Sequence, residues 1–330
     1  MKAWARAFGL AFMMAVTSVP ALAQNYATPT LSGGNMGNVA SATSGQTIFQ
    51  INSSTGAVTV ASGSGARIST GSANVTVTVS CGNQAACLTD RPIVTISTSG
   101  APTNRAAALA NFSATAGTAT FFSGPTGTNP ITITLNPLGQ NGSKTFTLGF
   151  NFPINATGNT GSAASGYIVG ITRNGGGAGG SASASSTALA NVFRAISISK
   201  TADMSFGKII RPSTGSGTVS LTAAGARTVT GTGAVGIASP TPTAAAFSVS
   251  GEGGQAVTVT IPSSFAMISG ANSLTVTTVS TGGGVQTLNS SLGNAGTNPT
   301  AITVGGSFPM TSTTATGAYS GTFTVTVQYN

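Results

Sequence analysis

Apolar and polar residues alternate in short runs along this chain, most regularly at its C-terminal end. From residue 322 the order Thr, Phe, Thr, Val, Thr, Val, Gln, Tyr sets Phe323, Val325, Val327 and Tyr329 on one face of a strand and leaves the other face polar. Comparable runs predict strands over residues 57–60, 74–80, 93–97, 118–122, 131–135, 145–150 and 167–172. A second set follows over residues 196–199, 218–221, 247–250, 256–261, 273–279, 301–304 and 322–329. Turn residues separate them, and about seven short strands per half predict an all-β chain of two β-sandwich domains in tandem.

The two halves resemble one another. STGAVTVASGSGAR at residues 54–67 matches STGSGTVSLTAAGAR at 213–227, and Phe152-Pro153-Ile154 followed by SGYIVGITRN matches Phe308-Pro309-Met310 followed by SGTFTVTVQYN. Two matches in the same order argue for duplication over shared low complexity. NGGGAGGSASASS, residues 174–186, has the composition of a flexible coil and marks the boundary. The expected organisation is a signal peptide at 1–23, an N-terminal extension at 24–45, a first sandwich at 46–174, a Gly/Ser linker at 175–189 and a second sandwich at 190–330. Within the last, ANVFRAISIS is read as the second sandwich's own first strand.

The signal peptide rests on Lys2 and Arg6 ahead of an apolar run at residues 8–19 and on Ala21-Leu22-Ala23, a small-x-small pattern that predicts cleavage before Gln24. An exported protein is implied, in transit through the periplasm toward the cell surface or the medium. Without Lys2 and Arg6, 10 basic residues face 3 acidic ones, a net charge of +7. The cations stand singly and with little aromatic interleaving, which suits solubility and a mild attraction to anionic surfaces, and no nucleic-acid partner is expected.

Composition supports short strands and tight turns. Apolar residues make up 40% but aromatics only 6%, with 46 glycines and much Thr and Val. Cys81 and Cys87 bound the segment CGNQAAC, and in an exported protein they are expected to form a disulfide, worth about 2 kcal/mol for so small a loop. Zinc is the competing use of two thiols, but the chain has no His to complete a site.

Catalysis lacks its usual groups. The only acids are Asp90, Asp203 and Glu252, and no spacing pairs two carboxylates, so each is read as a turn or surface residue. The glycine clusters at 175–180 and 282–284 lack the Lys-Ser/Thr of a phosphate loop. No enzyme activity and no cofactor are expected. A sugar platform would have to use Tyr26, Tyr167, Tyr319, Tyr329 or the phenylalanines, because Trp4, the only tryptophan, lies in the signal peptide.

Gly317, fourteenth from the end, and Tyr329, the penultimate residue, frame a strand that resembles the C-terminal strand of pilus subunits assembled by the chaperone and usher route. That resemblance implies a recognition strand made of Gly317, Phe323, Val325, Val327 and Tyr329. Residues 194–330 carry further motifs in order: Phe206-Gly207-Lys208-Ile209, then Gly217-Thr218-Val219, then FSVSG at 247–251. They are similar to an uncharacterised bacterial envelope domain family related to Mat-type fimbrial major subunits and spore-coat U-like secreted pilins. The resemblance implies immunoglobulin-like, pilin-like sandwiches. It also implies a structural or adhesive fimbria-like subunit joined by strand pairing, with other surface-assembly subunits, a periplasmic chaperone, an outer-membrane usher and host or surface glycans as partners. A secreted monomeric carbohydrate-binding or matrix protein of the same fold is the alternative. Because residues 24–45 are polar and poorly patterned, a tip or minor subunit is favoured over a polymerising one.

Overall fold

A computed structural model describes residues 26–174 and 181–330. The expected signal peptide and residues 175–180 of the expected linker lie outside the described residues. In the first half the strands are β1 (Thr30–Gly33), β2 (Asn35–Ala40), β3 (Gln46–Ile51), β4 (Val58–Ser62), β5 (Ala66–Arg67), β6 (Val75–Ser80), β7 (Ile93–Ser99), β8 (Ala110–Ala116), β9 (Phe121–Gly127), β10 (Ile131–Leu135), β11 (Ser143–Asn155), β12 (Gly161–Thr172) and β13 (Ala182–Phe193). In the second half they are β14 (Ser197–Ala202), β15 (Ile209–Ile210), β16 (Ser216–Leu221), β17 (Arg227–Val229), β18 (Val235–Gly236), β19 (Ala245–Glu252), β20 (Ala256–Thr260), β21 (Ser264–Ser269), β22 (Asn272–Thr281), β23 (Gly284–Thr287), β24 (Ala295–Thr297), β25 (Ile302–Thr311) and β26 (Thr326–Tyr329). The fold is all-β and sandwich-like, and Cys81 and Cys87 are joined by a disulfide.

Two sheets enclose the first core. One runs β1-β6-β11-β3-β4 with β8 also on β11, and the other β5-β2-β13-β12-β7-β10-β9. The alternation read in the sequence is visible in burial: Val75, Val77 and Val79 of β6 and Ile131, Ile133 and Leu135 of β10 point inward and are fully buried. With Phe146, Phe152, Tyr167 and Val169 they belong to one continuous cluster running from Tyr26 to Val192.

The second half repeats these ladders. β14 pairs β19 as β1 pairs β6, and β15 pairs β18 as β2 pairs β5. The hairpin β16–β17 lies on β25 as β3–β4 lies on β11, and β26 pairs β20 as β12 pairs β7. Its buried residues, however, divide into two smaller clusters, one around Phe206, Val219 and Phe308 and one around Val249, Val257 and Ile302.

Several sequence expectations need correction. Residues 26–40 are no polar extension, since Tyr26, Met36 and Val39 sit in the first core and β1 and β2 take part in opposite sheets. Gly33 and Gly34, at φ +94° and +81°, make the crossing, and a Cβ on Gly33 would lie 2.3 Å from the Asn74 carbonyl oxygen. Residues 182–189 are not linker, because β13 runs antiparallel along β12 from Ala182 to Val192 and parallel to β2. The ANVFR segment thus closes the first sandwich-like half, not the second. The apolar signal of residues 182–189 is weak because the side chains they bury are the alanines Ala182 and Ala188. The first repeat match is out of register: β4 stands in for β16 in the sequence alignment, whereas the ladders equate β3 with β16. The second match holds in space, for Phe152 faces Phe49 across the ladder as Phe308 faces Val219.

Candidate functional site

Two features of the second half collect the chemistry. The first is a cleft of about 820 Å³. Residues 204–211 form one bank and residues 314–319 the other, with Met267 of β21, Leu274 of β22, and Phe308 and Met310 of β25 between them. The banks correspond to β2 and to the start of β12. In the first half β13 lies between those two strands and places Ala188, Ala190 and Val192 in the core. No described residue takes that position in the second half. β26 pairs β20 on one edge, and among the described residues its other edge has no partner. Residues 321–325 lie in no ladder at all. The bank at residues 314–319 leads along the chain into residues 321–325 and the open edge of β26, so that an apolar lining is followed by unpaired backbone of the kind an added strand uses. The edge strand β9, by contrast, carries Pro125, which cannot donate to a further strand.

The second feature is the seam between the halves. Glu252, at the end of β19, is 0% exposed. Its Oε1 accepts from Thr160 Oγ1 at 3.0 Å and from the Gly293 amide at 2.5 Å, and its Oε2 accepts from the Arg194 amide at 3.1 Å. Arg194 Nε lies 3.5 Å from Oε2, and Arg194 Nη2 donates to the Gly293 carbonyl. Tyr329 completes the group. Its hydroxyl donates to the Arg194 carbonyl at 2.9 Å and accepts from the Glu252 amide at 2.7 Å, while its ring packs 5.7 Å from that of Phe193. Gly251 leaves room for this, since a Cβ there would fall 2.5 Å from the Tyr329 hydroxyl oxygen. Arg105, buried behind the seam, donates to Gly158 and to Ser41, whose hydroxyl reaches the Phe193 carbonyl.

The residues singled out in the sequence therefore separate. Gly317 lies on the cleft bank. Phe323, Val325, Val327 and Tyr329 all face inward, as their alternation indicates, but only β26 is laddered. Phe323 packs between Phe247 and Phe265, with ring centroids 6.1 and 5.0 Å away. Tyr329 is engaged by its own chain at the seam. Cys81 and Cys87 are buried at the far side of the first core. Sequence reasoning missed Glu252 and Arg194. Glu252 is buried, not a surface turn, and Asp90 likewise accepts from the Tyr26 hydroxyl at 2.6 Å and lies 3.4 Å from Arg173. The scarcity of acids was the available signal: a chain with three carboxylates has placed two of them inside.

The cleft, β26 and Glu252 all fall within one recognised unit. Residues 196–329 match the family model of a domain of unknown function, DUF4402. Thr160 and Phe193, across the seam, lie outside the DUF4402 domain, so the seam joins it to the preceding half. No curated protein matches the chain.

Three tyrosines tie this architecture to pH. Burial above all, then the bond to Asp90, pushes the Tyr26 hydroxyl far above the usual tyrosine value. Burial also raises Tyr167 and Tyr329, the latter against a lowering by the Glu252 amide. A phenol with a raised folded-state pKa stabilises the fold fully below its unfolded value of about 10 and loses that contribution as pH rises toward the folded value. Thermal scans across alkaline pH are expected to show the melting temperature falling above about pH 10, with phenolate absorbance delayed until unfolding. Phenolate appearing at the ordinary pH without loss of stability would contradict this.

Proposed function

We propose that the protein is a non-enzymatic structural or adhesive subunit of a bacterial cell-surface, fimbria-like assembly. In this reading it consists of two tandem immunoglobulin-like sandwiches, the first complete and the second completed by a strand from another chain. The observation that carries it is that none of the described residues takes the β13 position in the second half, where the cleft bank at residues 314–319 runs on into the unladdered residues 321–325 and the edge of β26 that no described strand pairs. A strand placed there as β13 is placed would run antiparallel to β26 and parallel to β15. Its backbone would supply affinity and its alternate side chains would set the register. The similarity of residues 194–330 to Mat-type fimbrial subunits and spore-coat U-like pilins is in keeping with this. A periplasmic chaperone would hold the open edge until an usher exchanges it for a neighbouring subunit, after export through a cleaved signal peptide. The first half, closed by its own β13, is the part free to meet a glycan or surface.

A tethered strand tests the reading. Joining a glycine-serine linker and a twelve-residue strand patterned on β13 to the C-terminus of the full chain fills that position from within. The melting temperature of the second half is expected to rise by about 5 °C or more, and binding of an apolar dye to the cleft to be lost. Unchanged melting and unchanged dye binding would count against strand acceptance and favour a self-sufficient secreted monomer.

A further inference from the structure

We infer that the strand taken up by the cleft belongs to a different protein and carries carboxylates flanking its apolar residues; this rests on the strand-accepting reading above. The cleft residues include Lys208 and Arg211 and no acid. Neither cation has a carboxylate partner among the described residues, although Arg211 Nη1 donates to the Thr314 carbonyl across the mouth. Arg227 adds a third positive charge behind the same bank, where its guanidinium binds the carbonyls of Phe206, Lys208 and Ile237. The nearest acid, Asp203, is already paired with Lys200. An incoming strand therefore enters a positive, apolar slot, and three methionines, Met204, Met267 and Met310, let the slot adapt to side chains larger than the alanines of β13.

A second copy of this chain does not fit that description. Two of its three acids are enclosed, Asp90 by Tyr26 and Arg173 and Glu252 at the seam, and the third, Asp203, pairs with Lys200 at the surface after β14, which is held in its own ladder by β19. Its β1, β2 and β13 are held in their own ladders. Two copies also meet with like net charge.

The test measures binding of labelled twelve-residue peptides, alternating valine and threonine, with acidic, neutral or basic flanks, to the full-length secreted protein at low and high salt. The acidic peptide is expected to bind about tenfold tighter than the neutral one at low salt, and salt should erase the difference. The double variant Lys208→Ser/Arg211→Ser should remove this preference and keep neutral binding. Ala318→Trp, which fills the cleft from an exposed position, should abolish both. Equal binding of all three peptides, blocked by Ala318→Trp, would overturn the acidic specification while leaving strand acceptance standing. Absence of peptide binding, or binding that Ala318→Trp leaves intact, would overturn strand acceptance itself. Concentration-dependent self-association that Ala318→Trp abolishes would overturn the assignment to a different protein.

Discussion

Glu252→Ala is expected to destabilise the protein by about 3–5 kcal/mol and to split its thermal unfolding into two transitions, one for each half. The carboxylate is wholly buried and satisfies donors from three places: Thr160 in the first half, the Arg194 amide at the junction and the Gly293 amide in the second. Removing it leaves those three donors without an acceptor and takes the carboxylate away from the Arg194 guanidinium, which keeps only its bond to the Gly293 carbonyl, and the penalty for stranded buried groups exceeds the modest net worth of the bonds themselves. Glu252→Gln should be milder yet still harmful, because both carboxylate oxygens accept from donors, two on Oε1 and one on Oε2, and an amide must turn its own NH2 toward one of these sets. Calorimetry and denaturant titration read the effect. A loss below about 1 kcal/mol, or a single transition unchanged in width, would mean that the seam does not couple the halves.

Tyr329→Ala should cost about 3 kcal/mol, and Tyr329→Phe about 1 kcal/mol. Alanine removes the ring that packs on Phe193 and leaves a void beside Gly251, whereas phenylalanine removes only the hydroxyl shared by the Arg194 carbonyl and the Glu252 amide. The combination Glu252→Ala/Tyr329→Ala should cost less than the sum of its parts, since both act on one bonded group. Limited proteolysis near residue 194 gives an independent reading, with both single variants expected to be cut faster than the parent chain. Strict additivity together with unchanged proteolysis would show that Tyr329 is only a packing residue of its own strand. The position also bears on assembly: a partner that grips the Tyr329 side chain must first withdraw it from the seam, whereas one that pairs along the free edge of β26 need not.

Much of the architecture is legible in the order of residues because a half-buried strand writes its burial into every second position. β6 and β10 are read almost to the residue, and the inward set Phe323, Val325, Val327 and Tyr329 emerges from the alternation alone. The disulfide follows from two cysteines six positions apart in a chain read as exported. β2 escapes notice because its buried Met36 and Val39 stand three positions apart across Gly37 and Asn38 and so break the period of two, and β13 because most of its buried side chains are alanines set among serine and threonine. The shifted repeat has the same origin: many Ser, Thr, Gly and Ala positions allow several alignments, and only hydrogen-bonded ladders choose among them.

What the chain's sequence determined by itself is local: which segments extend, which faces are apolar, where glycine permits a turn, and that catalytic groups are scarce. Tertiary structure alone decided the rest. The flanks of Glu252, Gly251 and Gly253, are those of an ordinary turn, and its burial depends on Thr160, 92 positions earlier in the chain, coming to rest against it. The cleft is less visible still, because it consists of a place where no described strand lies. Alternation records what each residue faces, and neither a contact between distant segments nor an unfilled position between two strands has a period.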